Sequence, residues 1–102
     1  MVRCGLWVRL EAKPGKEDEV AKFLASALPL AESEEGTMSW YAIRLGPSVF
    51  AVFDTFNDDD ARKAHLEGRI ASALKSKAAE LLAKPPSIEK IDLLAAKQPG
   101  AS

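Results

Sequence analysis

The stretch that decides the fold is residues 48–56, SVFAVFDTF, which has the alternating pattern of a strand but is mainly apolar on both of its sides. Successive side chains of a strand point to opposite faces of the sheet. The two faces carry Phe50, Val52, Asp54, Phe56 and Val49, Ala51, Phe53, Thr55 respectively. Because an antiparallel sheet normally keeps one face in water, this pattern predicts that something covers the second face.

Three further stretches, residues 4–12, 37–46 and 86–96, are also predicted to be strands. Residues 37–46 are mainly apolar on both faces, and residues 4–12 carry an alternating apolar row. Gly46-Pro47 is a turn signal between two such stretches, so the second and third strands are predicted to form an antiparallel hairpin.

Two helical regions separate these strands. The first is predicted to begin near the acidic residues 17–19 and to kink or end early at Pro29, which lacks the amide proton that a helix needs. The second is predicted over residues 61–84, with Asn57 as its cap and an interruption at Gly68. The resulting order is β-α-β-β-α-β.

This order predicts an α+β, ferredoxin-like fold with an antiparallel sheet. Crossover connections are right-handed, so both helical regions are expected on the same side of the sheet. The other, apolar side is then expected to pack face to face on a second copy of the chain. This gives a homodimer with a two-fold contact.

Length and composition predict one soluble domain over residues 1–102, with its core at about 4–96 and a loose tail at 97–102. Fourteen basic and fifteen acidic residues give a net charge of −1, which argues against a nucleic-acid partner. No apolar run is long enough to cross a membrane, and no signal segment is recognisable. The single cysteine, Cys4, fits a reducing cytoplasm.

Several short motifs, in order along the chain, resemble one known family. These are the run beginning at Leu10, LEAKPGKEDE, then VFDTF at 52–56, AHL at 64–66 and AKPPSI at 83–88. Together they resemble the antibiotic biosynthesis monooxygenase family of dimeric α/β barrels. The resemblance covers about residues 4–96.

The resemblance implies a homodimer with a mostly apolar pocket between the sheet and the helices of each subunit. Characterised relatives oxygenate quinols or polycyclic phenols with dioxygen, without a metal or a flavin, and others degrade haem or have no known substrate. In the cofactor-free chemistry, a phenol is deprotonated and its anion reacts with dioxygen. Such a site needs a base, donors for the anion and a dry pocket.

The sequence departs from the family at several functional positions. Ile70 stands where quinol-oxidising members often have a second histidine, and Phe56 stands where a tryptophan is frequent. Haem-degrading relatives use an asparagine on the first strand and a histidine in the second helix. Here the first strand has no asparagine, and Lys75 aligns with that histidine, so the resemblance does not favour haem degradation.

His65 is the predicted base, since it is the only histidine and its side chain titrates near neutral pH. An alternative interpretation is a helix histidine bonded to a neighbouring carbonyl. Asp54 lies within an apolar strand, where a carboxylate needs a partner. It could orient His65 in a catalytic pair, or it could pair with Arg9 or Arg44 across the sheet.

The predicted substrate-binding residues are Trp7, Trp40, Tyr41, Arg44 and Phe56. Aromatic residues in strands are also common in cores and dimer interfaces, and a salt bridge is the alternative for the arginine. Cys4 is interpreted as a small buried residue, not a nucleophile. The aspartates at 58–60 are interpreted as helix-capping residues, not as a metal site, because consecutive helical residues point in different directions.

These observations lead to one main functional hypothesis, a cofactor-free monooxygenase of a small phenolic or quinol-type substrate, with His65 and Asp54 as catalytic residues. The alternative is a non-catalytic module that binds a small ligand in the same pocket. A third possibility is a structural dimer with a filled core.

Overall fold

The computed structural model describes residues 2–97, and its backbone forms a four-stranded antiparallel sheet with four helices. The elements in chain order are β1 (Cys4–Glu11), α1 (Glu17–Ser26), α2 (Leu28–Ser33), β2 (Thr37–Arg44), β3 (Val49–Phe56), α3 (Asp59–Leu66), α4 (Arg69–Leu81) and β4 (Ser87–Asp92). The strand order across the sheet is β2-β3-β1-β4. The predicted ferredoxin-like α+β fold is therefore confirmed. Most of the predicted tail, residues 98–102, lies outside the described residues.

Strand β3 pairs with β1 on one side and with β2 on the other, both antiparallel. In this register Leu6, Asp54 and Trp40 are neighbours across three strands and share a face. That face also carries Phe50 and Phe56, which are 2% and 0% exposed. It packs against α1, α3 and α4 and holds the main hydrophobic core.

Both predicted helix interruptions occur. Helix α1 ends at Ser26 and α2 restarts at Leu28, so Pro29 lies in the first turn of the second helix, where its missing amide proton costs least. Gly68 is the residue immediately before α4 and separates this helix from α3. These local breaks divide the helical layer into four short helices.

Four predictions about the ends of elements were wrong, each for a structural reason. Strand β2 ends at Arg44, before residue 46, because the hairpin turn begins at Leu45, whose amide donates to the Val49 carbonyl. The chain leaves α4 at Leu81, before residue 84, because Leu82 forms an isolated bridge with Ala12. Strand β4 ends at Asp92, before residue 96, because Asp92 already pairs with Cys4, the first residue of the neighbouring strand. Asp58, not Asn57, caps α3, since its carboxylate accepts a hydrogen bond from the Ala61 amide at 2.8 Å.

The opposite face of the sheet is apolar along its centre. It carries Trp7, Tyr41, Ile43, Val49, Phe53 and Ile91, by the register of the four strands. The Tyr41 side chain is 54% exposed and stacks on Phe53, with ring centroids 6.2 Å apart. Among the helices of residues 2–97, none is long and apolar enough to cross a bilayer.

Candidate functional site

Helix α3 places His65 over the sheet, with its ring toward β3. The imidazole lies against the Phe56 ring, at a centroid distance of 5.4 Å, and the residue is buried. The Asp58 cap and the ion pair from Arg62 to Asp59 fix the first turn of this short helix. The orientation of His65 therefore follows from how α3 begins and from the aromatic side chain beneath it.

The His65 ring lies between two carboxylates. Its Nδ1 is 2.6 Å from Oε1 of Glu34 and forms a hydrogen bond with it. Its Nε2 is 2.9 Å from Oδ2 of Asp54, a residue with no exposed surface. The second contact is a close ion pair and not a well-directed hydrogen bond, and neither Asp54 oxygen has a hydrogen-bond partner within residues 2–97. We call these three residues the Asp54–His65–Glu34 array.

The electrostatics of the array favour a protonated histidine. Burial alone lowers the pKa of His65, but the close contacts with the negative carboxylates of Asp54 and Glu34 outweigh it and raise the pKa above its usual value. A charged imidazolium can satisfy a carboxylate at each nitrogen, which a neutral ring cannot do. The array therefore holds a proton more strongly than an isolated histidine would.

Asp54 contacts His65 and neither of the two arginines considered from the sequence. Arg9 pairs in register with Ala51, on the opposite face of the sheet. Arg44 lies at the hairpin end of β2, donates hydrogen bonds to the carbonyls of Gly46 and Pro47, and stacks over the Phe50 ring at 5.0 Å. The geometry thus brings the two predicted catalytic residues, His65 and Asp54, together.

Glu34 is a member of the array that the sequence did not single out. It ends α2, and its Oε1 also accepts a hydrogen bond from the Thr37 hydroxyl at 2.7 Å. The local pattern around it, an acidic stretch before Gly36, is that of an ordinary helix end. Its contact with His65 arises only because the turn between α2 and β2 packs on α3.

A cleft of about 300 Å³ lies beside this array, between the end of α2 and the helices α3 and α4. Its lining consists of Leu30, Ser33, Glu34, Glu35, Gly36, Thr37, Ala61, Ala64, His65, Gly68 and Arg69. The volume is at the lower end of the range for small-molecule sites. The cleft thus combines a small cavity with two members of the array and one cation.

The five predicted substrate-binding residues do not line this cleft. The alternation of the strands places Trp7 and Tyr41 on the face away from the helices. Phe56 fills the core with no exposed surface. An aromatic pocket built from all five residues is therefore not present in the single chain.

Trp40 and Arg44 lie on the helix side of the sheet but at other positions. Arg44 borders a hollow of about 170 Å³ with Phe50. Trp40 borders another of about 120 Å³ beneath α2, and its indole Nε1 is buried without a hydrogen-bond partner within residues 2–97. These two side chains belong to different parts of the surface from His65.

No group of three or more histidine, cysteine, aspartate or glutamate residues in the described chain is placed to hold a metal ion. In the acidic run, Asp58 caps α3 and Asp59 pairs with Arg62. Cys4 is buried, with its Sγ 3.8 Å from the carbonyl oxygen of Phe56. Both features have structural roles.

Several solved structures share this fold. A protein of unknown function from Nitrosomonas europaea is 58% identical, with a TM-score of 0.97 over 99% of this chain and 98% of that chain. A candidate antibiotic biosynthesis monooxygenase from Caulobacter crescentus is 23% identical, with a TM-score of 0.74 and coverage of 92% of both chains. Another candidate monooxygenase of that type, from Nitrosomonas europaea, is 16% identical, with a TM-score of 0.80 and coverage of 90% of both. At these two lower identities, the similarity shows the fold alone.

No curated protein matches the sequence. The family model for antibiotic biosynthesis monooxygenase matches residues 5–77, from β1 into α4, which is well over half of the chain. This chain belongs to the antibiotic biosynthesis monooxygenase family.

Proposed function

We propose that this protein is a cofactor-independent monooxygenase that acts on a small phenolic or quinol-type aromatic substrate. The observation that carries the proposal is the Asp54–His65–Glu34 array at the edge of a cleft of about 300 Å³. A buried titratable array with a shifted pKa beside a cavity is a typical acid–base site. Membership of the antibiotic biosynthesis monooxygenase family supports the same chemistry.

The proposed reaction begins with removal of a phenolic proton. The anion then reacts with dioxygen, one oxygen atom enters the ring and the other leaves as water. For a quinol with a free ring carbon, the balanced reaction converts the quinol and O₂ into a hydroxyquinone and H₂O. The substrate supplies all the electrons, so the protein has to provide a base, charge compensation and protection from water.

The array suits the first of these steps. His65 would be its charged centre, and buried Asp54 would hold the ring and stabilise its positive charge, as a carboxylate does for a catalytic histidine. Arg69, which lines the same cleft, would compensate the negative charge of the phenolate. Arg44 is not included because its guanidinium is bound to the hairpin carbonyls.

A second candidate function is a non-catalytic module that binds a small ligand in the same cleft. One observation favours it: both nitrogens of His65 already contact carboxylates, as they would in a purely structural ion-pair network. The ligand would then bind without turnover.

We also propose that the protein is a homodimer in the cytoplasm. The support for the dimer is the uncovered apolar face around Tyr41 and Phe53, since exposed patches of this kind mark interaction surfaces. A two-fold contact would pack the two sheets face to face. The buried free thiol of Cys4 supports a reducing compartment.

Oxygen uptake with a panel of quinols tests the enzymatic proposal. Wild-type protein should consume one O₂ per quinol, and kcat/KM should fall by about 10²-fold or more in His65→Gln, the size expected when general acid–base catalysis is lost. Lys63→Gln, which changes an exposed residue of the same helix, should retain wild-type turnover. Thermal stabilisation by a quinol without oxygen uptake would instead support the binding module.

A further inference from the structure

We propose that Glu34, and not His65, presents the proton-accepting oxygen to the ligand in the cleft, while His65 acts as a positioning residue behind it. The ligand class, a phenol, rests on the proposed function above. The assignment of Glu34 rests on the contacts, exposure and charge of the array itself.

His65 is poorly placed to take a proton directly from a ligand. Its Nδ1 faces Glu34 and its Nε2 faces Asp54, at 2.6 and 2.9 Å. A ligand oxygen could approach either nitrogen only after one of these charged contacts had been broken. The side chain is also only 8% exposed, against 20% for Glu34.

Glu34 has one oxygen committed and the other available. Both hydrogen bonds that its carboxylate makes within residues 2–97, from Thr37 and with His65, use Oε1. Its Oε2 lies beside Gly68, where an added Cβ would come within 3.0 Å of it. The absence of a side chain at residue 68 therefore allows this oxygen to lie close to the α3–α4 junction, and both residues line the cleft.

The charges of the array allow it to accept one proton. Two carboxylates around one imidazolium carry a net charge of −1, so a proton on Glu34 would leave a neutral array containing the Asp54–His65 ion pair. In this step the phenolic O–H bond breaks and an O–H bond forms at Oε2 of Glu34. The electron pair of the broken bond stays on the phenolate, which Arg69 can compensate from the same cleft.

The test uses 4-nitrophenol, whose phenolate absorbs visible light whereas the neutral phenol does not. At a pH where the free probe is mostly neutral, wild-type protein should produce the phenolate band. Glu34→Gln should reduce the ionised fraction of bound probe about tenfold or more. Glu32→Gln, which changes an exposed acidic residue of α2 outside this cleft, should behave as wild type and serves as the matched control.

A second measurement separates the roles of the two residues. His65→Gln should reduce ionisation of the bound probe while leaving its dissociation constant within about two-fold, because glutamine replaces the small part of the cleft wall that the largely buried His65 forms. NMR titration of the single histidine checks that Glu34→Gln is still folded. The His65 pKa should fall in this variant, because the ring loses one of its two carboxylate partners, while the ring itself should remain buried.

The outcomes distinguish this assignment from the proposed function. The assignment is overturned if wild-type protein gives no phenolate band, if Glu34→Gln keeps it, or if Glu32→Gln loses it equally. If the probe ionises as expected but no quinol consumes oxygen, the oxygenase proposal fails and the Glu34 assignment stands. If quinols are oxygenated at the wild-type rate by Glu34→Gln, the assignment fails and the oxygenase stands.

Discussion

Nε2 of His65 lies 2.9 Å from Oδ2 of Asp54, across the boundary between α3 and the sheet. Asp54 has no exposed surface and sits between apolar neighbours on the central strand, so this contact supplies the positive charge nearest to a buried carboxylate. A buried charge without such a partner is costly. The relationship therefore couples the candidate site to the stability of the fold.

Replacing His65 should destabilise the protein as well as impair its chemistry. His65→Gln is expected to lower the free energy of unfolding by about 3–5 kcal/mol at neutral pH, because it leaves Asp54 buried beside a neutral side chain. Urea denaturation would measure the change. The double variant Asp54→Asn, His65→Gln should recover part of the loss, and a double variant less stable than His65→Gln would contradict the explanation.

The same array should make stability depend on pH above neutrality. The pKa of His65 is raised in the folded state, so its stabilising contribution is complete below the unfolded value of about 6.5 and is lost as the pH rises through the higher folded value. The free energy of unfolding of wild-type protein should therefore decrease as the pH rises above about 6.5.

The control for this pH dependence is His65→Gln, which has no histidine to titrate. Its stability should change less than the wild-type stability does as the pH rises above about 6.5. Urea denaturation at several pH values and NMR titration of the ring protons would test both statements. A folded-state pKa below 6.5 would show that burial outweighs the two carboxylates.

The apolar face of the sheet should determine the oligomeric state. Phe53→Asp places a charge at the centre of that face and is expected to convert a dimer into a monomer, since burying an unpaired charge in an interface is unfavourable. Analytical ultracentrifugation at micromolar concentration would give the mass. Leu28→Asp, on an exposed position of α2, is the matched control and should stay dimeric. A monomeric wild type would refute the sheet-to-sheet arrangement.

Gly5 should tolerate no side chain because of its place between strands. A Cβ at this position would lie 2.5 Å from the backbone oxygen of Asp54, which cannot move without displacing β3. Gly5→Ala is therefore expected to destabilise the fold by about 1–3 kcal/mol, as overpacking does. Gly46→Ala, where a Cβ would meet nothing within 4 Å, should change thermal stability little. Equal melting temperatures for both variants would contradict this interpretation.

Much of the fold could be predicted because its signals are local. Alternating residues define β3, Gly46-Pro47 marks the hairpin, and Pro29 and Gly68 mark the helix breaks. Boundaries that depend on a distant partner were less predictable. The end of α4 is set by the pairing of Leu82 with Ala12, 70 residues away in the chain.

The candidate site shows the same division. His65 and Asp54 could be chosen from the sequence because a lone histidine and a carboxylate in an apolar strand are chemically unusual. Glu34 could not be chosen, since it resembles any acidic residue at a helix end. Trp7, Trp40 and Tyr41 were predicted to form one pocket because all three are aromatic. Successive residues of a strand point to opposite faces, so Trp40 lies on the helix side of the sheet and Trp7 and Tyr41 lie on the other side.

By itself, the sequence determined the order of the strands and helices, the apolar character of both sheet faces and the two residues with the strongest claim to acid–base chemistry. Only the tertiary structure decided that His65 lies between Asp54 and Glu34, and that a cleft opens beside Glu34. The physical reason is that secondary structure follows from local steric and hydrophobic periodicity. Contacts across 31 residues depend instead on how a helix and a turn pack together over the sheet.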